Sequence, residues 1–182
     1  MKQSIFAENI YSLPLQQVNK NIEIKVMLPE HWEAVKAIYE RGIATGNATF
    51  QTVAPASWNL WDGGHLPYSR FVAMVNDLVV GWVALSPTSA RECYKGVCEL
   101  SIYVDPDFGG NGIGKLLMEA VVRSSEENGI WSLYSSTFPE NKSSIALQKK
   151  FGFREIGYRE RIAQLNGAWR NTILLERRSK IV

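Results

Sequence analysis

Cysteine is nearly absent from this chain: Cys93 and Cys98 are the only two in 182 residues, spaced as neither a CxxC pair nor a metal-ligand set. They offer no disulfide framework, which removes the small stapled secreted folds and fits free thiols of a cytoplasmic protein. His31 reads as a surface residue, and no metal site is expected. Long hydrophobic runs are lacking too. None approaches membrane-spanning length, so no membrane partner is expected. Charge of one sign is not in excess: 20 Lys and Arg stand against 18 Asp and Glu, a net +2. That is too little to make nucleic acid the main partner, and Glu176-Arg177-Arg178-Ser179-Lys180 reads as a solvated tail. Met1 to Lys20 carry Pro14, Gln16 and Gln17 and no continuous apolar stretch of signal-peptide kind, so residues 1–21 read as an extension that packs on the domain or stays loose. Repeats and linker-like segments are missing. With 46% hydrophobic and 21% charged residues, 22–182 reads as one globular domain long enough to bury its own core.

What is present centres on Glu99 to Gly129. An apolar strand enters Asp105-Pro106, a turn holds Gly109, Gly110, Gly112 and Gly114, and a helix then opens. Ile113, Leu116, Leu117, Ala120 and Val121 recur at helical spacing on one face, and Asn128-Gly129 marks the end. A helix N-terminus presents unpaired N–H groups and partial positive charge, and glycines let a backbone approach an anion closely. The segment therefore reads as a phosphate cradle. It is not a Walker A loop: Gly109-x-x-x-x-Gly114-Lys115 is followed by Leu116, where Ser or Thr must hold magnesium. A dinucleotide fingerprint fails as well, since its third glycine would fall on Lys115.

The remaining elements follow from pattern. Ile22 to Met27 alternates as a strand. Pro29 opens a helix to about Ile43 with Trp32, Val35, Ala37, Ile38 and Tyr39 facing the core, and Gly42 to Pro55 is loop. A short helix spans Ser57 to Trp61. Phe71 to Val75 and Val79 to Leu85 form a hairpin on Asn76-Asp77. Ser86 to Lys95 is loop, Val97 to Val104 a central strand, Ile130 to Tyr134 another strand, and Ser143 to Lys150 a helix. Phe153 to Ile162 and Ala168 to Leu175 close as a hairpin on Asn166-Gly167.

Glu99 stands in an otherwise apolar run. A carboxylate there is costly unless paired or used, and desolvation would raise its pKa toward the range of a general base. The alternatives are a solvated strand face or a pair with Lys95.

Gly109-x-x-Gly112-x-Gly114 resembles the pyrophosphate loop of the GNAT acyltransferase superfamily, (Gln/Arg)-x-x-Gly-x-(Gly/Ala), with Gly109 in place of the first residue. Further blocks resemble its phosphinothricin N-acetyltransferase-like branch: Gly42 to Phe50, Gly81 to Pro87, Tyr94 to Pro106, Phe138 to Phe153 and Gly167 to Glu176. The resemblance implies an α/β (α+β) fold, a mixed twisted central sheet flanked by helices. It also implies acetyl transfer from acetyl-CoA to the α-amino group of a small amino acid such as phosphinothricin, methionine sulfoximine or methionine sulfone, a detoxification-like activity conferring antibiotic or herbicide resistance. It makes Glu99 the base. It assigns the cofactor to Ile102, Tyr103 and Val104, to Gly109, Gly110, Asn111, Gly112, Ile113, Gly114 and Lys115, and to Asn141 and Ser144. It assigns the substrate to Thr49, Phe50, Tyr94, Glu99 and Leu100, with Arg91 as candidate for its carboxylate. Gln148 stands where relatives carry His or Tyr, so protonation of the leaving thiolate falls to water, Tyr103 or Tyr134. A homodimer is implied, and the apolar last strand (Trp169, Ile173, Leu174, Leu175) is expected to be its exposed edge, with the Gly167 to Arg170 turn near the partner's pocket. A protein or peptide N-terminal acetyltransferase and an acyl-CoA-binding protein without turnover remain as alternatives.

Overall fold

Alternation of apolar and polar residues lays down β1 (Ile22–Val26) at one edge of the sheet in the computed structural model, which describes residues 22–182. The expected extension at 1–21 lies outside them. Pro29–His31 forms a 3-10 turn in which His31 Nδ1 accepts from the Leu28 N–H, and α1 (Trp32–Ala44) continues from it. Trp32, Val35 and Ile38 are buried, whereas Ala37, expected in the stripe, is exposed. Two residues beyond Val35 is about 200° around the helix, on the far side.

After α2 (Trp58–Asp62), β2 (Phe71–Val75) and β3 (Leu78–Pro87) form the expected hairpin. Asn76 and Asp77 both take positive φ, 48° and 64°, as a two-residue turn matched to strand twist requires. Then come β4 (Val97–Val104), α3 (Ile113–Glu127), β5 (Ser132–Thr137), α4 (Lys142–Lys150), β6 (Arg154–Leu165) and β7 (Ala168–Arg178). The seven strands run in the order β1-β2-β3-β4-β5-β7-β6, antiparallel except for β4 beside β5. This is the mixed α/β sheet with flanking helices.

Two cores hold the layers together. On one face Val83, Leu85, Leu100, Leu117, Val121 and Leu133 pack with α3 and with Ile145 of α4; on the other Trp32, Val35 and Ile38 of α1 meet Trp61, Val72 and Trp82. Strand alternation sends Leu100, Ile102 and Val104 to the first face and Tyr103 to the second.

Two expectations need correction. The strand expected at Ile130 to Tyr134 runs instead over Ser132–Thr137, because the hydroxyl-rich Ser135-Ser136-Thr137 pairs fully with β7. β7 is not an edge. It lies between β5 and β6, with Leu175 fully buried, because the hairpin folds back against β5 and pushes β6 outside. No described helix is long and apolar enough to cross a membrane.

Candidate active site

The pairing of β4 with β5 stops early. Its rungs are Val97–Ser132, Cys98–Leu133 and Glu99–Tyr134; beyond Glu99 the strands part, β5 staying with β7 while β4 follows β3 to Val104. The wedge between them leaves one backbone edge of Leu100 to Val104 without a strand partner.

On one side of the wedge lies a groove of ≈ 630 Å³. It brings together Ile102, Tyr103, Val104, Gly109, Gly110, Gly112, Ile113, Gly114, Lys115, Asn141 and Ser144, nearly the whole set expected for the cofactor. Gly112 caps α3 at φ 80°, a conformation other residues adopt at a cost, and leaves the first N–H groups of the helix facing outward. Asn111 lies outside the lining; its Nδ2 donates to the carbonyls of Phe108 (3.1 Å) and Gly109 (3.2 Å), holding the turn. Arg41 of α1 grips the entry to that turn through Asp105 at 2.6 Å and Asp107 at 2.9 Å.

On the other side is a cavity of ≈ 370 Å³ containing Glu99, Leu100, Thr49 and Phe50, as expected for the acceptor. Ala48, Ile102, Tyr103, Asn141 and Ser144 line both spaces, so they meet there. The segment 45–50 spans the junction: Arg170 Nη1 donates to the Gly46 carbonyl at 2.9 Å, and Asn141 Nδ2 to that of Asn47 at 3.2 Å. Phe50 meets Phe138 edge-on, centroids 4.8 Å apart. The Arg170 side chain is thus engaged within its own chain, while Gly167, Ala168 and Trp169 of the same turn are exposed.

Arg91 and Tyr94, expected at the substrate, are not brought to the cavity. Both are exposed on the β3–β4 connection, the guanidinium 5.2 Å from the tyrosine ring centre. The cation in the cavity wall is instead Arg159 of β6. Ser101, Thr137, Gln148, Ile162 and Ala163 also line it, without having been singled out as ligand contacts.

Water reaches Glu99 through the open mouth, yet the cavity walls crowd its carboxyl, and burial raises its pKa while the Arg159 charge pulls it back. Lys95 pairs with Glu92 at 2.6 Å, so the alternative Glu99–Lys95 pair is not formed. Tyr103 lies against Trp82 (4.7 Å, 20°) and fits over Gly42, where a Cβ would come within 2.7 Å of its ring. Burial pushes its phenol far above the usual value, so it stays a hydrogen-bond donor at neutral pH. Tyr134, the other candidate acid, does not line the cavity. Gln148 is buried; its Nε2 donates to Thr137 Oγ1 (3.2 Å) and Ser144 Oγ (3.0 Å). No group of three His, Cys, Asp or Glu side chains is placed to hold a metal among the described residues.

A model of the acetyltransferase (GNAT) family matches residues 32–153. The Bacillus subtilis (strain 168) protein named "Putative phosphinothricin acetyltransferase YwnH" is 35% identical over 147 residues, covering 77% of this chain and 90% of that protein. The "Phosphinothricin N-acetyltransferase" of Alcaligenes faecalis is 27% identical over 163 residues, 85% of this chain and 81% of that one. The solved structure of a GNAT superfamily phosphinothricin acetyltransferase from Sinorhizobium meliloti in complex with AcCoA shares the fold, with a TM-score of 0.78 at 24% identity over 86% of this chain and 88% of that one.

Proposed function

The chain belongs to the acetyltransferase (GNAT) family, and from that premise we propose that it acetylates the α-amino group of a small amino acid or analogue of the phosphinothricin, methionine sulfoximine or methionine sulfone type. The observation that carries this reading is Glu99 in the wall of a small cavity that joins the glycine-turn groove at Tyr103 and Ser144.

The groove suits acetyl-CoA: the turn from Gly109 to Lys115 offers backbone N–H groups at a helix N-terminus to the pyrophosphate, and the unpaired edge of Ile102 to Val104 offers partners to the pantetheine arm. Acetyl-CoA, when bound, supplies the activated acetyl group. The chain's own part is to remove a proton and hold the amine. An ammonium cannot attack a thioester, so its proton goes to Glu99, whose raised pKa makes the carboxylate a better acceptor than an ordinary glutamate. The amine then forms the N–C bond as the C–S bond breaks. Gln148 cannot return a proton to the sulfur, which leaves water or the Tyr103 hydroxyl.

The size of the acceptor cavity, ≈ 370 Å³, favours a small molecule over a peptide chain. Free cysteines at Cys93 and Cys98 fit a cytoplasmic setting, where such an activity would confer resistance to phosphinothricin-like compounds. A homodimer fits the exposed apolar residues of the edge strand β6, namely Ile156, Tyr158 and Ile162. The test is release of CoA thiol from acetyl-CoA on adding each candidate amino acid. A protein that binds acetyl-CoA but releases no thiol with any of them is not this enzyme.

A further inference from the structure

Arg159 is the last residue of β6 in register with β7 before a break in the strand. Arg159 pairs with Thr172 and Ala163 with Arg170, so four residues on β6 advance while β7 advances two. Arg161 takes φ 48° in the resulting bulge, and its N–H donates to Asn171 Oδ1 at 2.7 Å, pinning it. In an unbroken strand Ile162 and Ala163 would face opposite sides; here both line the acceptor cavity together with Arg159.

The charges in that cavity are few. Glu99 is its one carboxylate and Arg159 its one permanent cation among the lining residues. They do not cancel in a contact: among the described residues, no ion pair within 4.0 Å uses either side chain. A site with one acid and one guanidinium on its walls complements a zwitterion, whose ammonium and carboxylate sit on a single carbon. A simple amine or an amino-acid amide would leave the fork of Arg159 without its partner.

We infer that Arg159 is the specificity residue that binds the α-carboxylate of a free amino acid whose amine is presented to Glu99. The inference rests on the acetyl-transfer reading above and narrows it to free acids. A planar guanidinium takes a carboxylate through two parallel hydrogen bonds, which an ammonium on a flexible stem does not reproduce. Its contribution is made before and during transfer alike, so its loss raises KM more than it lowers kcat.

The experiment compares methionine sulfone with its α-carboxamide, following thiol release by the full-length wild-type protein, Arg159→Gln and Arg159→Lys. Arg159 is exposed on an edge strand, so both variants are expected to fold, which thermal melting checks. The wild type should prefer the free acid. Arg159→Gln should lower kcat/KM for the acid by about 10- to 100-fold, mostly through KM, and bring the acid-to-amide ratio toward one. Arg159→Lys should recover part of the ratio. Thiol release with an acid-to-amide ratio unchanged in Arg159→Gln overturns the assignment of Arg159 and leaves acetyl transfer standing. No thiol release by the wild type with either compound overturns acetyl transfer to this class, and this inference with it.

Discussion

Asn141 and Asn47, 94 residues apart, are joined by a hydrogen bond from the side-chain amide of the first to the backbone carbonyl of the second at 3.2 Å. The same side chain caps α4 by accepting from the Ser144 N–H, so one residue fixes both the start of a helix and the segment over the junction of groove and cavity. Asn141→Ala should cost about 1 kcal/mol through the lost cap. It should also raise KM for both substrates, because 45–50 loses one of the two hydrogen bonds that distant side chains donate to its backbone. Thermal melting and steady-state kinetics read the two effects separately.

The glycine turn is tested by charge and by shape. A Cβ at Gly114 would lie 3.1 Å from Leu147 Cδ2, a flexible side-chain end, so Gly114→Asp should fold while setting a carboxylate in the groove. Acetyl-CoA binding measured by calorimetry should be abolished, and unchanged affinity would remove this turn from the cofactor site. Gly112→Asp adds strain at φ 80° to the same repulsion, and should lose stability as well as binding.

Glu99→Gln keeps the shape of the side chain and removes its basicity. kcat/KM at pH 7 should fall by ~10²- to 10⁴-fold. The wild type should lose activity as pH falls through the raised Glu99 pKa, whereas the variant lacks that limb, and the gap should narrow as alkaline solution frees the amine. The charged and titratable neighbours in the cavity are Arg159, which opposes the rise, and Tyr103, which stays protonated. A loss of the same factor from pH 6 to 9.5 would take the base role away from Glu99.

Stability should move the other way. A carboxyl with a folded-state pKa above its unfolded value binds its proton more tightly when folded, so its favourable contribution is full at low pH and is lost as pH rises through the folded value. Above that range the wild type holds a crowded charge that Glu99→Gln does not. The variant should therefore melt no lower than the wild type at pH 8, and a clearly lower melting temperature would mean that the ionised carboxylate supports the fold.

The edge strand makes the assembly testable. Light scattering at micromolar concentration should give twice the chain mass, and Tyr158→Glu, on the exposed face of β6, should shift it toward the monomer. A wild-type monomer would exclude the dimer.

Most of the lining of the groove was legible in the sequence, because it is local. Strand, glycine turn and helix lie within Glu99 to Gly129, and what the turn from Gly109 to Lys115 presents to the groove is backbone that neighbours in the chain arrange. The element pattern was legible for the same reason, down to the hairpin turns at Asn76-Asp77 and Asn166-Gly167, where the structure shows positive φ. The acceptor side was decided by tertiary structure. Whether Arg91 or Arg159 lines the cavity depends on where β4 leaves β5, on β7 inserting between β5 and β6, and on the register in which β6 pairs with β7. Those are pairings between distant segments, and along the chain both arginines look alike: a long charged side chain in a polar stretch, each equally suited to water. The sequence settles what such a residue can bind, and only the packing of strands settles which one shares a cavity with Glu99.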